Sequence, residues 1–271
     1  MYDCHTHTQF SHDSVCPPSK SLEAAISKGL DGFALTDHCD IEYCLGQDIK
    51  TPILQSVAAA RALDEQSSLT VLKGIEIGEA LWHPSHAEEM LHSADFDIII
   101  GSVHAVRYQN HTIPFAQIDF SAFSEDEIDA YLKTYFEDLF ETVDAFDFDV
   151  LAHLTCPLRY ICGKFFRSVN LEKYADAIAA ILRRVIEKNI ALEVNTSCLG
   201  TPYSRLLPED GILKNYKQSG GQLITLGSDA HIPQNFAHGF QTAAAVLRQI
   251  GFTQAYYYKN RTPVSYSLEG K

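Results

Sequence analysis

Short runs of apolar residues alternate with amphipathic segments along the whole chain. The apolar runs have the length of buried strands, and the amphipathic segments have the period of helices that cover a core with one face. The predicted strands are residues 1–5, 32–36, 70–76, 97–103, 149–153, 190–195 and 222–228. The predicted helices are residues 19–28, 52–66, 125–143, 171–188, 210–219 and 243–250. Repeated strand–helix units of this kind predict a parallel sheet or barrel.

The number of strands favours an α/β barrel of the (β/α)7 or TIM type, formed by residues 1–271 as one domain. A doubly wound open sheet is the alternative, but it concentrates ligand residues at one switch point. Here polar residues follow nearly every predicted strand. Residues 255–258 and 264–268 alternate in polarity and are predicted as an edge strand that a Pro-containing turn interrupts.

Composition narrows the possible functions without choosing one. Hydrophobic residues make up 46% of the chain and charged residues 21%, as in ordinary globular proteins. The net charge of -14 disfavours a nucleic-acid partner. The first residues have no basic segment and no apolar run approaches about 20 residues, so neither export nor a membrane span is predicted. Seven scattered cysteines without a CxxC pair fit a reducing cytoplasm. The oligomeric state stays open.

Twelve histidines are a high number for this length, and most of them fall where strands are predicted to end. The C-terminal strand ends of a barrel meet at one mouth, so these side chains are predicted to converge there. Nine candidate metal ligands share this placement: His5, His7, His12, His38, Glu76, His104, His153, Asp229 and His231.

Two local spacings support this interpretation. His5 and His7 point the same way in an extended segment, and Asp229 and His231 form a second pair of the same kind. Glu76 has two oxygens and can bridge two ions, which an imidazole ring cannot do. One histidine alone is more often a core or surface residue than a ligand. Their joint occurrence at the strand ends has no packing explanation and predicts a metal site.

Six motifs in this order resemble those of the PHP (polymerase and histidinol phosphatase) family. They are His5-Thr6-His7, Thr36-Asp37-His38, Gly74-Ile75-Glu76, Gly101-Ser102-Val103-His104, Ala152-His153 and Gly227-Ser228-Asp229-Ala230-His231. The segments at residues 192–197 and 257–263 are similar to the stand-alone histidinol-phosphatase branch. Two positions depart from that branch, which often has Asp where this chain has Thr155 and Gly where it has Cys198. Both departures concern substrate contacts more than metal ligands.

The resemblance implies a distorted seven-stranded barrel with two or three divalent ions, of which Zn, Fe and Mn all suit the ligands. One ion would be held by His5, His7, Glu76 and Asp229. A second would be held by Glu76, His104 and His153, and a third by His12, His38 and His231. Glu76 thereby belongs to the catalytic centre.

The implied reaction is hydrolysis of a phosphate monoester, with L-histidinol phosphate in histidine biosynthesis as the expected substrate. Attack by a hydroxide bridging two ions is the expected mechanism. Arg159 is predicted to hold phosphate oxygens, because a planar guanidinium suits them. Ser197 and Asn195 are predicted substrate contacts. Asp229 or His231 is predicted to provide the proton for the leaving alkoxide.

Three other functions remain as alternatives. A phosphatase or phosphodiesterase for nucleotides or other small phosphate esters would use the same chemistry. A carbon–nitrogen hydrolase on a similar barrel typically has a bridging lysine on a middle strand, where this chain offers Glu76. A non-catalytic module that has lost its metals is disfavoured, because all nine ligand positions are filled.

Overall fold

Seven parallel strands form the central sheet of the computed structural model, which describes residues 1–41, 46–109 and 112–269. They are β1 (Tyr2–Asp3), β2 (Gly32–Leu35), β4 (Thr70–Gly78), β5 (Ile98–Ser102), β6 (Val150–Leu151), β7 (Ala191–Asn195) and β8 (Ile224–Gly227), hydrogen-bonded in that order. A short strand, β3 (His38–Asp40), pairs in parallel with the C-terminal half of β4. The chain order of the strands is therefore also their spatial order.

The sheet closes on itself beyond the regular ends of β1 and β8. The backbone N–H of Cys4 donates to the carbonyl of Leu226 at 2.8 Å, and that of Asp229 donates to the carbonyl of His5 at 2.9 Å. A parallel bridge between Thr6 and Ala230 continues the contact. The predicted (β/α)7 barrel is confirmed, and closure brings the first and last ligand motifs side by side.

Helices cover the outside of the barrel in the intervals between strands. They are α1 (Pro18–Ser27), α2 (Lys50–Gln66), α3 (Pro84–Leu91), α4 (Glu125–Ala145), α5 (Ala175–Glu187), α6 (Asp210–Gln218) and α7 (Phe240–Ile250). The larger hydrophobic core lies between these helices and the barrel. None of the helices in the described part of the chain is long and apolar enough to span a lipid bilayer.

The six predicted helices match observed helices to within a few residues, and the differences concern short elements. α3 and β3 were not predicted, because eight and three residues are too few to show a clear period. The C-terminal edge strand was predicted wrongly. Its two halves, β9 (Gln254–Lys259) and β10 (Thr262–Ser267), pair with each other as an antiparallel hairpin in a separate sheet.

The barrel interior is apolar at one end and polar at the other. A small core of Cys4, Ala34, Leu72 and neighbouring residues fills the N-terminal end, and Tyr258 of β9 packs into it. Along a strand every second side chain faces the same way. Leu72 and Glu76 of β4 therefore both face inward, one in the apolar layer and one at the C-terminal mouth. This layering confines the polar groups of the interior to the mouth.

Candidate metal and phosphate site

Histidine and carboxylate side chains converge at the C-terminal mouth of the barrel. Four groups of three residues each bring one potential ligand atom per residue to within 4.8 Å of the others. The groups are His7, His38 and His231; His5, His7 and Asp229; His5, Glu76 and His153; and His38, Asp40 and His104. Several residues belong to two groups, so the groups form one continuous cluster.

Glu76 lies at the centre of this cluster and is completely buried. Its Oε2 atom is 3.3 Å from His5 Nε2 and 2.8 Å from His38 Nδ1. Its Oε1 atom is 3.0 Å from His153 Nε2 and 3.3 Å from His104 Nε2. One carboxylate therefore faces four imidazole rings from four different strand ends, as a bridging ligand would.

Several atoms that face the cluster make no hydrogen bond. They are His5 Nε2, His7 Nε2, His38 Nδ1, Glu76 Oε2 and His231 Nε2, all buried. Buried polar atoms in folded proteins nearly always have a partner, and unsatisfied ones are costly. Imidazole nitrogens and carboxylate oxygens are also the donors that Zn, Fe and Mn accept. The residues present thus fit divalent ions.

Burial and neighbouring charges shift the pKa values of the central residues in opposite directions. Burial raises the pKa of Glu76, but the charges of His5, His104 and His38 outweigh it and hold this pKa well below the usual range. Burial lowers the pKa of His5, yet Glu76 and Glu193 hold it well above the usual range. The mouth therefore brings opposite charges together on buried side chains.

His7 behaves differently from its neighbour two residues away. Burial lowers its pKa, and the charges of His38 and His231 lower it further, so this pKa lies well below the usual range. The ring is therefore neutral at physiological pH. Its Nδ1 is 3.2 Å from the Ser11 hydroxyl, which leaves Nε2 directed to the cluster. A neutral imidazole with a free lone pair is the form that binds a metal ion.

Arg159 borders the cluster at the start of a π-helical turn, Arg159–Lys164. π-helical turns are rare and often occur at functional sites. The Nη2 atom of Arg159 donates to Asp229 Oδ2 at 3.0 Å and to the Ser197 hydroxyl. Asp229 follows β8 with φ of 54°, a left-handed conformation that places its carboxylate between Arg159 and His7. The guanidinium, oriented by these two acceptors, offers its remaining donors to an oxyanion.

A cavity of about 280 Å³ opens above the cluster. Its lining includes His12, Arg159, Asp229 and His231, and the aromatic rings of Phe115 and Tyr160 form part of the wall. This volume is at the lower limit of typical ligand pockets. The cavity therefore suits a small molecule.

Two of the predicted residues lie outside the ligand cluster. His12 is exposed and lines the cavity, with its ring centre 5.2 Å from that of His38, but it belongs to none of the ligand groups found among the described residues. Asn195 is fully buried, and both ends of its amide are hydrogen-bonded to protein groups. It therefore lies behind the cavity wall and orients other groups, and its contact with substrate stays a prediction.

Three acidic residues contact histidines of the site and are not among the predicted ligands or substrate contacts. Asp13 Oδ2 is 3.1 Å from His231 Nε2, Asp40 Oδ1 is 3.0 Å from His104 Nδ1, and Glu193 Oε1 is 2.7 Å from His5 Nδ1. The sequence could have indicated Glu193, because it lies two residues before Asn195 on the same predicted strand. The two side chains therefore face the same side of the strand, toward the barrel interior. Asp13 lies in a loop, where no such periodicity exists.

Comparisons with known proteins agree with this geometry. A family model described as PHP domain matches residues 3–197. A histidinol-phosphatase of Lactococcus lactis is 28% identical over 255 residues, or 92% of this chain and 91% of the relative. A probable histidinol-phosphatase of Clostridium acetobutylicum is 24% identical over 96% of this chain and 97% of its own. A crystal structure of histidinol phosphate phosphatase from Lactococcus lactis, complexed with Zn, L-histidinol and phosphate, has a TM-score of 0.77 at 26% identity and covers 97% of this chain and 98% of its own.

Proposed function

The chain belongs to the PHP domain family, and from this premise we propose that it hydrolyses L-histidinol phosphate to L-histidinol and phosphate. This is the reaction of a metal-dependent phosphomonoesterase in histidine biosynthesis. Relatives named histidinol-phosphatase that match over more than nine-tenths of the chain support the substrate.

The unpartnered atoms at the barrel mouth carry this proposal. Metal binding satisfies buried imidazole and carboxylate atoms that make no hydrogen bond to the protein, and no packing function explains so many of them together. The proposed ligands of two or three divalent ions are His5, His7, His12, His38, Glu76, His104, His153, Asp229 and His231. Zinc is the first ion to test, because the related crystal structure contains it.

Bound ions of this kind activate water and neutralise charge on phosphate oxygens. The protein residues position the ester. Arg159 holds phosphate oxygens, because its guanidinium adjoins the cluster and is held there by Asp229 and by the hydroxyl oxygen of Ser197. Asp229 and His231 both line the cavity beside Arg159, and they are the two candidates that provide the proton for the leaving oxygen.

The size and surroundings of the cavity support a small phosphorylated metabolite as the substrate. A space of about 280 Å³ is small for a ligand pocket and accommodates a compact ester. The net charge of -14 argues against nucleic acid. We further propose that residues 1–271 act as one domain, since the C-terminal hairpin packs its Tyr258 into the barrel interior. The scattered cysteines without a CxxC pair support a cytoplasmic location.

The test is phosphate release by zinc- or manganese-reconstituted protein. L-Histidinol phosphate is compared with p-nitrophenyl phosphate, AMP and a cyclic nucleotide, and a Glu76→Ala variant is the control. We expect kcat/KM for L-histidinol phosphate to exceed the others by at least a hundredfold and the control to be inactive. Comparable, low activity on all four would refute the substrate and leave a phosphoesterase of another specificity.

A further inference from the structure

Glu193 lies at the junction of three strand ends and was not among the predicted site residues. It belongs to β7, and its side chain is 1% exposed. Its Oε1 is 2.7 Å from His5 Nδ1, which follows β1, and its Oε2 accepts the backbone N–H of His153 after β6 at 2.7 Å. One carboxylate thus touches two proposed ligands that are far apart in sequence, without itself joining the ligand cluster.

Gly227 of β8 leaves the space through which the Glu193 carboxylate reaches His5, the residue that follows β1. A Cβ atom at residue 227 would lie 2.1 Å from Glu193 Oε1 and 2.8 Å from His5 Cβ, so any larger residue would displace one of them. The backbone of Gly227 is not in the left-handed region. Close approach between Glu193 and His5 is therefore the reason that this position requires glycine.

The carboxylate also determines which nitrogen of His5 carries the proton. An ionised carboxylate only accepts hydrogen bonds, so His5 Nδ1 must donate to Glu193. In the neutral form of the ring, which is the form that binds an ion, the lone pair is then on Nε2, which faces Glu76 and has no hydrogen-bond partner. This is the tautomer that an ion at the cluster needs.

A second chain of hydrogen bonds leads from Glu193 to the phosphate side of the cavity. Asn195 Nδ2 donates to Glu193 Oε2 at 3.2 Å, which fixes the orientation of the amide. Asn195 Oδ1 therefore faces Ser197 and accepts from its N–H at 3.0 Å and from its hydroxyl at 2.5 Å. Because the Ser197 hydroxyl donates its proton to Asn195, its oxygen is left to accept a hydrogen bond from Arg159 Nη2. The donor and acceptor of each of these hydrogen bonds therefore follow from the carboxylate of Glu193, which can only accept.

We propose that Glu193 is a positioning residue with two functions: it fixes the tautomer of His5 for metal binding and, through Asn195 and Ser197, it fixes Arg159 for phosphate binding. This inference rests on the proposed function for the identity of its two ligands, zinc and phosphate. The affinities for zinc and for phosphate are measured by binding, without any substrate. A failure of this inference is therefore distinguishable from a wrong choice of substrate.

The first experiment compares zinc affinity of the whole protein with that of Glu193→Gln, by competition with a chelator. Glutamine has the same shape but only one acceptor oxygen. If that oxygen keeps the bonds from His153 and Asn195, an NH₂ group faces His5 and favours the wrong tautomer. We expect zinc affinity to fall 10- to 100-fold, the usual effect of losing such a partner, with the thermal midpoint of zinc-free protein within a few degrees of the parent. Unchanged zinc affinity would overturn the first function.

The second experiment is a double-mutant cycle on phosphate affinity. Inorganic phosphate is titrated into zinc-loaded parent, Asn195→Ala, Ser197→Ala and the double variant, with exposed Asn215→Ala as a matched control. Each site variant is expected to weaken phosphate binding about tenfold, and the double variant no more than either one, because Asn195 acts through Ser197. Additive effects, or a phosphate affinity of Asn195→Ala equal to that of the control, would overturn the second function. This cycle stays decisive if Glu193→Gln does not fold.

Discussion

Buried carboxyl groups determine much of the chemistry in this protein, and the neighbouring charges determine whether the pKa of each group is raised or lowered. At the barrel mouth, Glu76 is surrounded by imidazole rings, and its pKa is held low despite complete burial. Asp138 on α4 has only the charge of Arg107 to compensate for its burial, and this compensation is insufficient. Its Oδ2 atom is buried without a hydrogen-bond partner, and burial together with repulsion from Glu141 raises its pKa to about 6.

Asp138 predicts a pH-dependent change in stability. A carboxyl group whose pKa is higher in the folded protein than the ordinary 3.8 destabilises the fold once it ionises. The loss develops between about pH 4 and pH 6 and is complete above this window. Asp138→Asn is therefore expected to raise the free energy of unfolding by about 1 kcal/mol at pH 8, after allowance for partial exposure, and by much less at pH 4.

Urea denaturation at both pH values measures this difference. Asp138 does not line the cavity, so zinc affinity serves as a control that stays constant. An equal gain in stability at pH 4 and pH 8 would show that the effect comes from packing and not from ionisation.

Among the elements, α4 has the most complete N-terminal cap. Ser124 accepts a hydrogen bond from the N–H of Glu127 at 3.2 Å, and the Glu127 carboxylate accepts from the N–H of Ser124 at 2.8 Å. This reciprocal capping box satisfies two backbone donors that the helix itself leaves free. It fixes the start of a helix of 21 residues whose buried face covers the barrel.

Ser124→Ala is expected to lower the free energy of unfolding by about 1 kcal/mol, because one of these donors loses its partner. Zinc affinity is expected to stay at the parent value, since α4 carries no proposed ligand. Denaturant unfolding beside exposed Ser168→Ala checks both points. If the two variants are equally stable, the cap contributes nothing to the fold.

For the whole molecule, stability and metal binding are expected to be linked. The ligands come from strands along the entire chain, so an ion bound to them holds the closed barrel and is released when it unfolds. At a hundredfold excess over the dissociation constant, one ion adds about 2.7 kcal/mol. Chelation is expected to lower the thermal midpoint, and added zinc to restore it.

Thermal unfolding over a range of zinc concentrations tests this linkage. Glu76→Gln provides the comparison. This variant lacks the central carboxylate, so its thermal midpoint is expected to depend less on the zinc concentration. A parent midpoint that stays constant from chelator to excess zinc would contradict metal binding by the folded cluster.

The sequence by itself determined the seven strands, their order and the polar groups at their ends. These follow from local rules: apolar runs mark strands, alternate residues share a face, and parallel strand ends meet at one edge. The rules are sufficient to predict that Glu76 and the histidines of distant motifs converge, and all of these except His12 lie in the ligand groups of the structure.

Only the tertiary structure decided which groups face one another across the barrel. Glu193 and His5 are separated by 188 residues, and their contact depends on the closure of β8 onto β1 and on the space left by Gly227. The burial of Asn195, the position of Asp13 and the separate C-terminal hairpin depend likewise on packing between segments distant in sequence. Periodicity reports the side of a strand on which a residue lies; the partner it meets there is set by the three-dimensional fold.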